Sequence, residues 1–233
     1  MLKPYYQDDF ATLYHGDCRD VISELGSQAV DAVVTDPPYG TNVAKWDKVA
    51  PYDILPDLLN VSKGAVLWFG SSPRIAVDLS EFSVQPERVL IWYVTFSLAR
   101  TAARGIYYRW HPIYTWHLPP KHNGPNRDVL PIPQDGHNGW FHPGTKPLKL
   151  MNKLVGFCPD DGVLFDPYAG SGTTLVAAKN RGLRSIGVEI NEDYCKIIVS
   201  RLAQDVMRLD AAHEPYKAAE IWEPASASTA ESC

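Results

Sequence analysis

Cysteine is scarce: four occur in 233 residues, and no two form a C-x-x-C pair. Cys18, Cys158, Cys195 and Cys233 lie far apart, which argues against a disulfide framework or a zinc site and for reduced structural thiols. No apolar run approaches the length of a membrane span. The opening residues, "MLKPYYQDDF", lack the apolar segment of a signal peptide. These absences predict a soluble, cytoplasmic protein with no membrane partner. Acid is missing too: from Arg88 to Arg127 there is no Asp or Glu, against six Arg or Lys residues. From Asp205 to Cys233 the balance reverses, with six acids against Arg208 and Lys217. The formal net charge of −5 argues against an indiscriminate nucleic-acid binder, yet it holds a basic middle and an acidic tail.

The content, 45% hydrophobic, suits one domain over about residues 1–210, with a tail over 211–233 too polar to order. No internal repeat is visible. Strand and helix patterns alternate. "ATLYH" (Ala11–His15) reads as a strand and "CRDVISEL" as a helix. "VDAVVT" is a continuous apolar run, as a strand buried on both faces requires. "DILPDLLNV" puts Ile54, Leu55, Leu58 and Leu59 on one helical face, and "GAVLWFG" is another buried strand. A short helix follows Pro73, and "RVLIWYV" (Arg88–Val94) is a strand. From Ser97 to Thr145 the regularity breaks. "IYYRWHPIYTWHL" can form strand and turn, and "PPKHNGPNRDVLPIPQDGHNG" reads as loop. Pro147 opens a helix with Leu148, Met151, Leu154 and Val155 as its stripe. "GVLFD" is a strand, "TTLVAAKNRG" a helix closed by Gly182, and "RSIGVEI" a strand. "NEDYCKIIVSRLAQ" is a helix capped by Asn191, with Tyr194, Ile197, Ile198 and Leu202 inward. Such alternation predicts an open α/β sheet, whose ligands sit at the carboxyl ends of strands.

Four strand ends carry chemistry. In "LFDPYAGSGTT" a strand ends at Asp166, and Gly170, Ser171 and Gly172 make a turn into a helix starting at Thr173. Glycines let a ligand approach the backbone, and the helix start favours an anionic group. Glu189 ends the next strand, 17 residues after Gly172, an offset at which an acid can accept from a ribose. In "LYHGDC", Asp17 can accept from an adenine amine, or cap the helix that follows. The fourth is "TDPPYG" from Thr35 to Gly40. An exocyclic base amine is a poor nucleophile because its lone pair is delocalised into the ring. Two acceptors gripping its N–H bonds help to turn the nitrogen tetrahedral. The Asp36 carboxylate is one, and the Pro37 carbonyl, aimed by the Pro37-Pro38 kink, is the other. The Tyr39 ring can stack on the base, worth roughly 1–3 kcal/mol.

In combination these motifs resemble the amino-methyltransferases that modify DNA with S-adenosylmethionine, the N6-adenine/N4-cytosine family. "TDPPYG" is similar to their catalytic motif, and "FDPYAGSGTT" to their cofactor loop, with Tyr168 where Phe is commoner. "HPGTKP" (His142–Pro147) is similar to their His-Pro-x-x-Lys-Pro segment, and "GDC" to their adenine contact. The resemblance spans about residues 11 to 204. The catalytic motif precedes the cofactor loop, as in the β class. That implies a circularly permuted Rossmann-like methyltransferase fold, a mostly parallel sheet of about seven strands with one reversed edge strand. It implies that Asp166, Tyr168, Ala169, Gly170, Ser171, Gly172 and Thr173 hold the methionine end. Glu189 and Ile190 then hold the ribose, Asp17 and Cys18 the adenine, and Lys146 and His142 line the methionine pocket beside Asp36.

The resemblance also places a target-recognition insertion at about residues 97–140, the acid-poor stretch. There Arg100, Arg104, Arg109, Lys121 and Arg127 are the candidates for phosphates and guanine edges of double-stranded DNA. The segment is short, which points to a short target or to help from a second subunit in a homodimer. The implied reaction is direct methyl transfer to a flipped base, with adenine N6 preferred over cytosine N4 because Asp, rather than Ser, stands at position 36. No cysteine nucleophile is needed and no metal site is evident. His111, His117, His122, His137 and His142 are scattered among prolines and read as loop residues. Two other classes fit less well. An NAD-dependent oxidoreductase would need the third glycine that "GSGTT" lacks. A non-catalytic DNA-binding protein would leave Asp36 and Tyr39 without a purpose.

Overall fold

The structure, a computed structural model, describes residues 2–41, 47–95, 108–134 and 144–204. Along the chain run β1 (Tyr6–Gln7), β2 (Ala11–His15), α1 (Cys18–Glu24), β3 (Ala32–Thr35), α2 (Leu55–Val61), β4 (Val66–Phe69), α3 (Ile75–Glu81) and β5 (Arg88–Tyr93). Then come β6 (Trp110–Trp116), β7 (Val129–Pro131), α4 (Leu148–Leu154), β8 (Val163–Asp166), α5 (Thr173–Asn180), β9 (Arg184–Glu189) and α6 (Glu192–Ala203). Among the described residues all strands join one sheet in the order β1-β2-β9-β8-β3-β4-β6-β5-β7.

Strands β2, β9, β8, β3 and β4 are mutually parallel. Every residue of β3 is fully buried, and alternation sends successive side chains to opposite layers. Ala32 and Val34, with Leu67 and Phe69 of β4, pack on Leu150, Met151 and Leu154 of α4 and on Ala177 and Ala178 of α5. Val33, with Val66 and Trp68, packs on Val21 and Ile22 of α1 and Leu55, Leu58 and Val61 of α2. Two helical layers therefore explain the uninterrupted apolar run. Each Val or Leu so buried stabilises the fold by roughly 1.5–3 kcal/mol.

Four expectations change. The sheet has nine strands rather than about seven, because the short β1 and β7 extend its edges. β7 lies in the stretch read as loop. It forms because β5 lends its free edge: Ile91 N donates to Asp128 O at 2.6 Å and Ile132 N to Tyr93 O at 3.0 Å. Pro131 is tolerated there because an edge strand needs no donor on its outer side. The reversed strand within the main body is internal: β6 runs antiparallel to both β4 and β5. On α6 the buried face is Cys195, Ile198 and Leu202, with Tyr194 and Ile197 only half-buried. The tail predicted to be disordered lies outside the described residues.

Candidate active site

β8 leads through α5 to β9 on one side of the sheet, and β3 leads through α2 to β4 on the other. The crevice between β8 and β3 is thus a topological switch point, where open α/β sheets bind ligands. Four neighbouring parallel strands, β2, β9, β8 and β3, end on this edge. Their ends carry Asp17, Glu189, the Asp166–Thr173 turn and Asp36, in that order. Three strand spacings of about 4.8 Å set the row at roughly 14 Å.

Asp36 is gripped on both oxygens. The Tyr39 hydroxyl donates to Oδ1, and the Lys146 ammonium pairs with Oδ2. Lys146 is nearly buried, with Nζ 5.7 Å from the Tyr39 ring centroid and 5.2 Å from that of Phe69. It is therefore a partner of the candidate catalytic carboxylate, and its neighbour Thr145 reaches Ser171 in the glycine turn. The Tyr39 phenol is held well above its ordinary pKa, first by burial and then by the Asp36 charge, so it stays a donor. Pro37 is buried and Pro38 half-buried, closing the carboxyl end of β3.

The buried Asp47 accepts from three successive backbone donors, Tyr39 N at 2.6 Å, Gly40 N at 2.8 Å and Thr41 N at 3.1 Å, and from the Thr41 hydroxyl. Sequence reading assigned it nothing, and its place in "KWDK" beyond the motif was the only signal. His111 was read as a loop residue. Instead it stands on β6, stacked on Trp92 with centroids 5.0 Å apart. Burial, and next the Lys146 charge, push its imidazole down to about 4, so it is neutral.

The glycine turn is tied on three sides. Gly170 N donates to Glu189 Oε2 at 2.9 Å, and Asn191 N to Glu189 Oε1 at 2.8 Å. Glu189 thus secures the turn that it flanks. The Arg201 guanidinium donates to Ser171 O at 2.6 Å and to Thr173 Oγ1 at 3.1 Å. The hydroxyls of Thr145 and Ser171 meet at 3.1 Å. Ala169 N donates to Val188 O at 2.9 Å. Arg201, on the last turn of α6, is a second residue that the motifs did not reveal. Asp166 is buried, accepts from Tyr168 N at 3.1 Å, and has no cationic partner among the described residues. Burial raises its carboxyl to about 7, against the lowering effect of the Thr174 hydroxyl and the Tyr168 N–H.

Asp17 caps α1, its Oδ1 accepting from Arg19 N at 2.9 Å, and the cap sits beside Cys18 and Tyr168. Gly16 N donates to Glu189 O at 3.1 Å, which brings the "GDC" turn to the end of β9. Ile190 is largely exposed, and its carbonyl accepts from His15 Nε2. His142, Arg100 and Arg104 lie outside the described residues. Arg109 is exposed where β6 begins, at the Asp36 end of the sheet. Lys121 is not there: it lines a cleft with Asp31, Lys63 and Gly64, at the opposite ends of β3 and β4. β6 carries the chain from one end of the sheet to the other, which separates the basic residues. Arg127 stands just before β7 on the outer edge.

The fold is that of S-adenosylmethionine-dependent methyltransferases. The solved cytosine-N4-specific PvuII DNA methyltransferase matches 88% of this chain and 91% of its own at TM-score 0.70 and 16% identity. The M1.HpyAVI–SAM complex matches 83% of this chain and 100% of its own, at TM-score 0.64 and 24% identity. In sequence, the DNA methylase family of N6/N4 enzymes matches residues 103–200. Type II methyltransferase M.ScaI of Streptomyces caespitosus is 25% identical over 89% of this chain and 86% of its own. Type II methyltransferase M2.DpnII of Streptococcus pneumoniae is 23% identical over 87% and 93%. Together these similarities support an amino-methyltransferase of the N6-adenine/N4-cytosine family.

Proposed function

We propose that this protein methylates the N6 amine of adenine in double-stranded DNA, using S-adenosylmethionine as donor and a flipped target base. The observation that carries this reading is the row of strand ends. Asp17, Glu189, the glycine turn and Asp36 follow the order of adenine, ribose, methionine and target amine. The site fits the cofactor on its own terms. Among the described residues, a Cβ built on Gly170 would meet only Tyr168 O, at 4.0 Å, which leaves room against the turn. Asp166, buried and without a cationic partner among the described residues, suits the ammonium of the methionine end.

Bound S-adenosylmethionine supplies a methyl carbon made electrophilic by its sulfonium. Asp36 accepts one N–H of the target amine on a lone pair left free by Tyr39 and Lys146, and the Pro37 carbonyl accepts the other. Held in this way, the nitrogen lone pair would be directed at the methyl carbon, whose C–S electrons would go to sulfur, and the extra proton would leave through Asp36 to water. Lys146 pairs with Asp36 and orients it, so the chain provides alignment and fixed electrostatics. The Tyr39 ring receives the base, whose extrusion costs a few kcal/mol.

Adenine is favoured over cytosine by Asp at position 36. The second reading, cytosine N4, is favoured by the likeness to the N4-specific PvuII enzyme. Plasmid from an expressing strain, digested to nucleosides and resolved by mass, should contain N6-methyladenine. N4-methylcytosine alone would replace the adenine reading. Asp36→Ala should abolish transfer, a loss of at least about 100-fold, and leave S-adenosylmethionine binding within about twofold.

A further inference from the structure

Tyr39, Gly40 and Thr41 form a nest. Gly40 takes φ +68°, a left-handed conformation that turns three consecutive N–H groups towards one point. Such a concavity binds an anion, and here the anion is a side chain of the same protein. The Asp47 carboxylate fills it with three backbone bonds and one from the Thr41 hydroxyl. Asp47 is only 3% exposed, so these bonds are shielded from water and strengthened accordingly. The first of them holds the backbone of Tyr39, whose hydroxyl in turn holds Asp36. The double proline stiffens the chain before Tyr39, but nothing in the motif itself anchors the chain after it.

We propose that Asp47 is the positioning residue of the catalytic loop, setting where Tyr39 stands and, through Tyr39, how Asp36 points. This rests on the function proposed above. The Asp47 carboxylate is turned into the loop backbone, and the residue is 3% exposed. It acts by holding Tyr39 within the narrow range of positions that direct transfer needs.

The test uses the full-length protein with Asp47→Asn, which keeps the side chain's shape but turns one acceptor towards the nest into a donor. Thr41→Val is the milder companion, removing only the bond from the Thr41 hydroxyl. For Asp47→Asn, kcat should fall by at least about tenfold, with the Kd for S-adenosylmethionine and the KM for DNA changed by less than about threefold. Thr41→Val should show a smaller kcat loss with the same split. If Asp47→Asn does not fold, Thr41→Val decides alone. An unchanged kcat overturns the inference. So does a loss of kcat and cofactor affinity in parallel with a loss of Tm, which marks a merely structural role. Wild-type protein that transfers no methyl group overturns the proposed function and this inference with it. Wild-type transfer, abolished by Asp36→Ala but untouched by Asp47→Asn, overturns the inference alone.

Discussion

Asp166 has no cation beside it among the described residues, and it titrates near 7 where an ordinary Asp titrates at 3.8. Between these values the folded protein binds more protons at this site than the unfolded chain does. The contribution of Asp166 to stability is therefore greatest below about pH 4, declines up to about pH 7 and is flat above it. A bound ammonium demands the ionised form. Affinity for S-adenosylmethionine should therefore rise from about pH 6 to pH 8, and Asp166→Asn should weaken binding and flatten the profile. Calorimetric titration across that range checks it, and a wild-type Kd independent of pH would remove Asp166 from the ammonium contact. Asp166, Glu189 and Asp36 were legible because each ends a strand with a recognisable neighbour. Asp47, Arg201 and His111 were not. Their partners are backbone groups and rings brought close only by folding, and no spacing along the chain encodes that.

At the scale of elements, the β8–α5 turn uses its two glycines for different reasons. Gly172 takes φ +80°, and a Cβ there would lie 2.8 Å from Ile198 Cγ1 on α6. Gly170 takes φ +55°, and among the described residues a Cβ there would meet only Tyr168 O, at 4.0 Å. Gly172→Ala should cost about 1–3 kcal/mol of stability in chemical denaturation, because strain and a clash with α6 combine. Gly170→Ala should cost only about 1 kcal/mol of stability and act mainly on the Kd for S-adenosylmethionine. Equal loss of stability in both would show that the turn has no ligand-facing side. Most strands and helices were visible as apolar runs and periodic stripes between Gly, Pro and Asn punctuation. β7 was not, because three residues around a proline become a strand only when β5 offers an edge. The buried face of α6 was displaced for a similar reason. Packing on β2 and α5 chose Cys195 over the larger Tyr194 and Ile197.

Across the whole molecule, the two ends of the sheet carry different basic residues. Arg109 stands at the end that holds Asp36, and Lys121 stands at the other. Arg109→Ala should weaken DNA binding and lower the slope of log affinity against log salt by about one. Lys121→Ala should change neither. Filter binding at several salt concentrations separates them, and equal effects would place both residues on the DNA face. The sequence by itself determined the chemistry available: a carboxylate before two prolines, a glycine turn, acids after strands, and the alternation that builds an open sheet. These are local properties, set by side-chain type and by the short-range geometry of Pro and Gly. Only the tertiary structure decided that β8 lies beside β3, so that Asp166 and Asp36, 130 residues apart, end on one edge. The same packing reversed β6 inside the sheet and carried Lys121 away from the site. The reason is physical: burying both faces of a central strand requires partners from distant parts of the chain, and strand order follows from that packing.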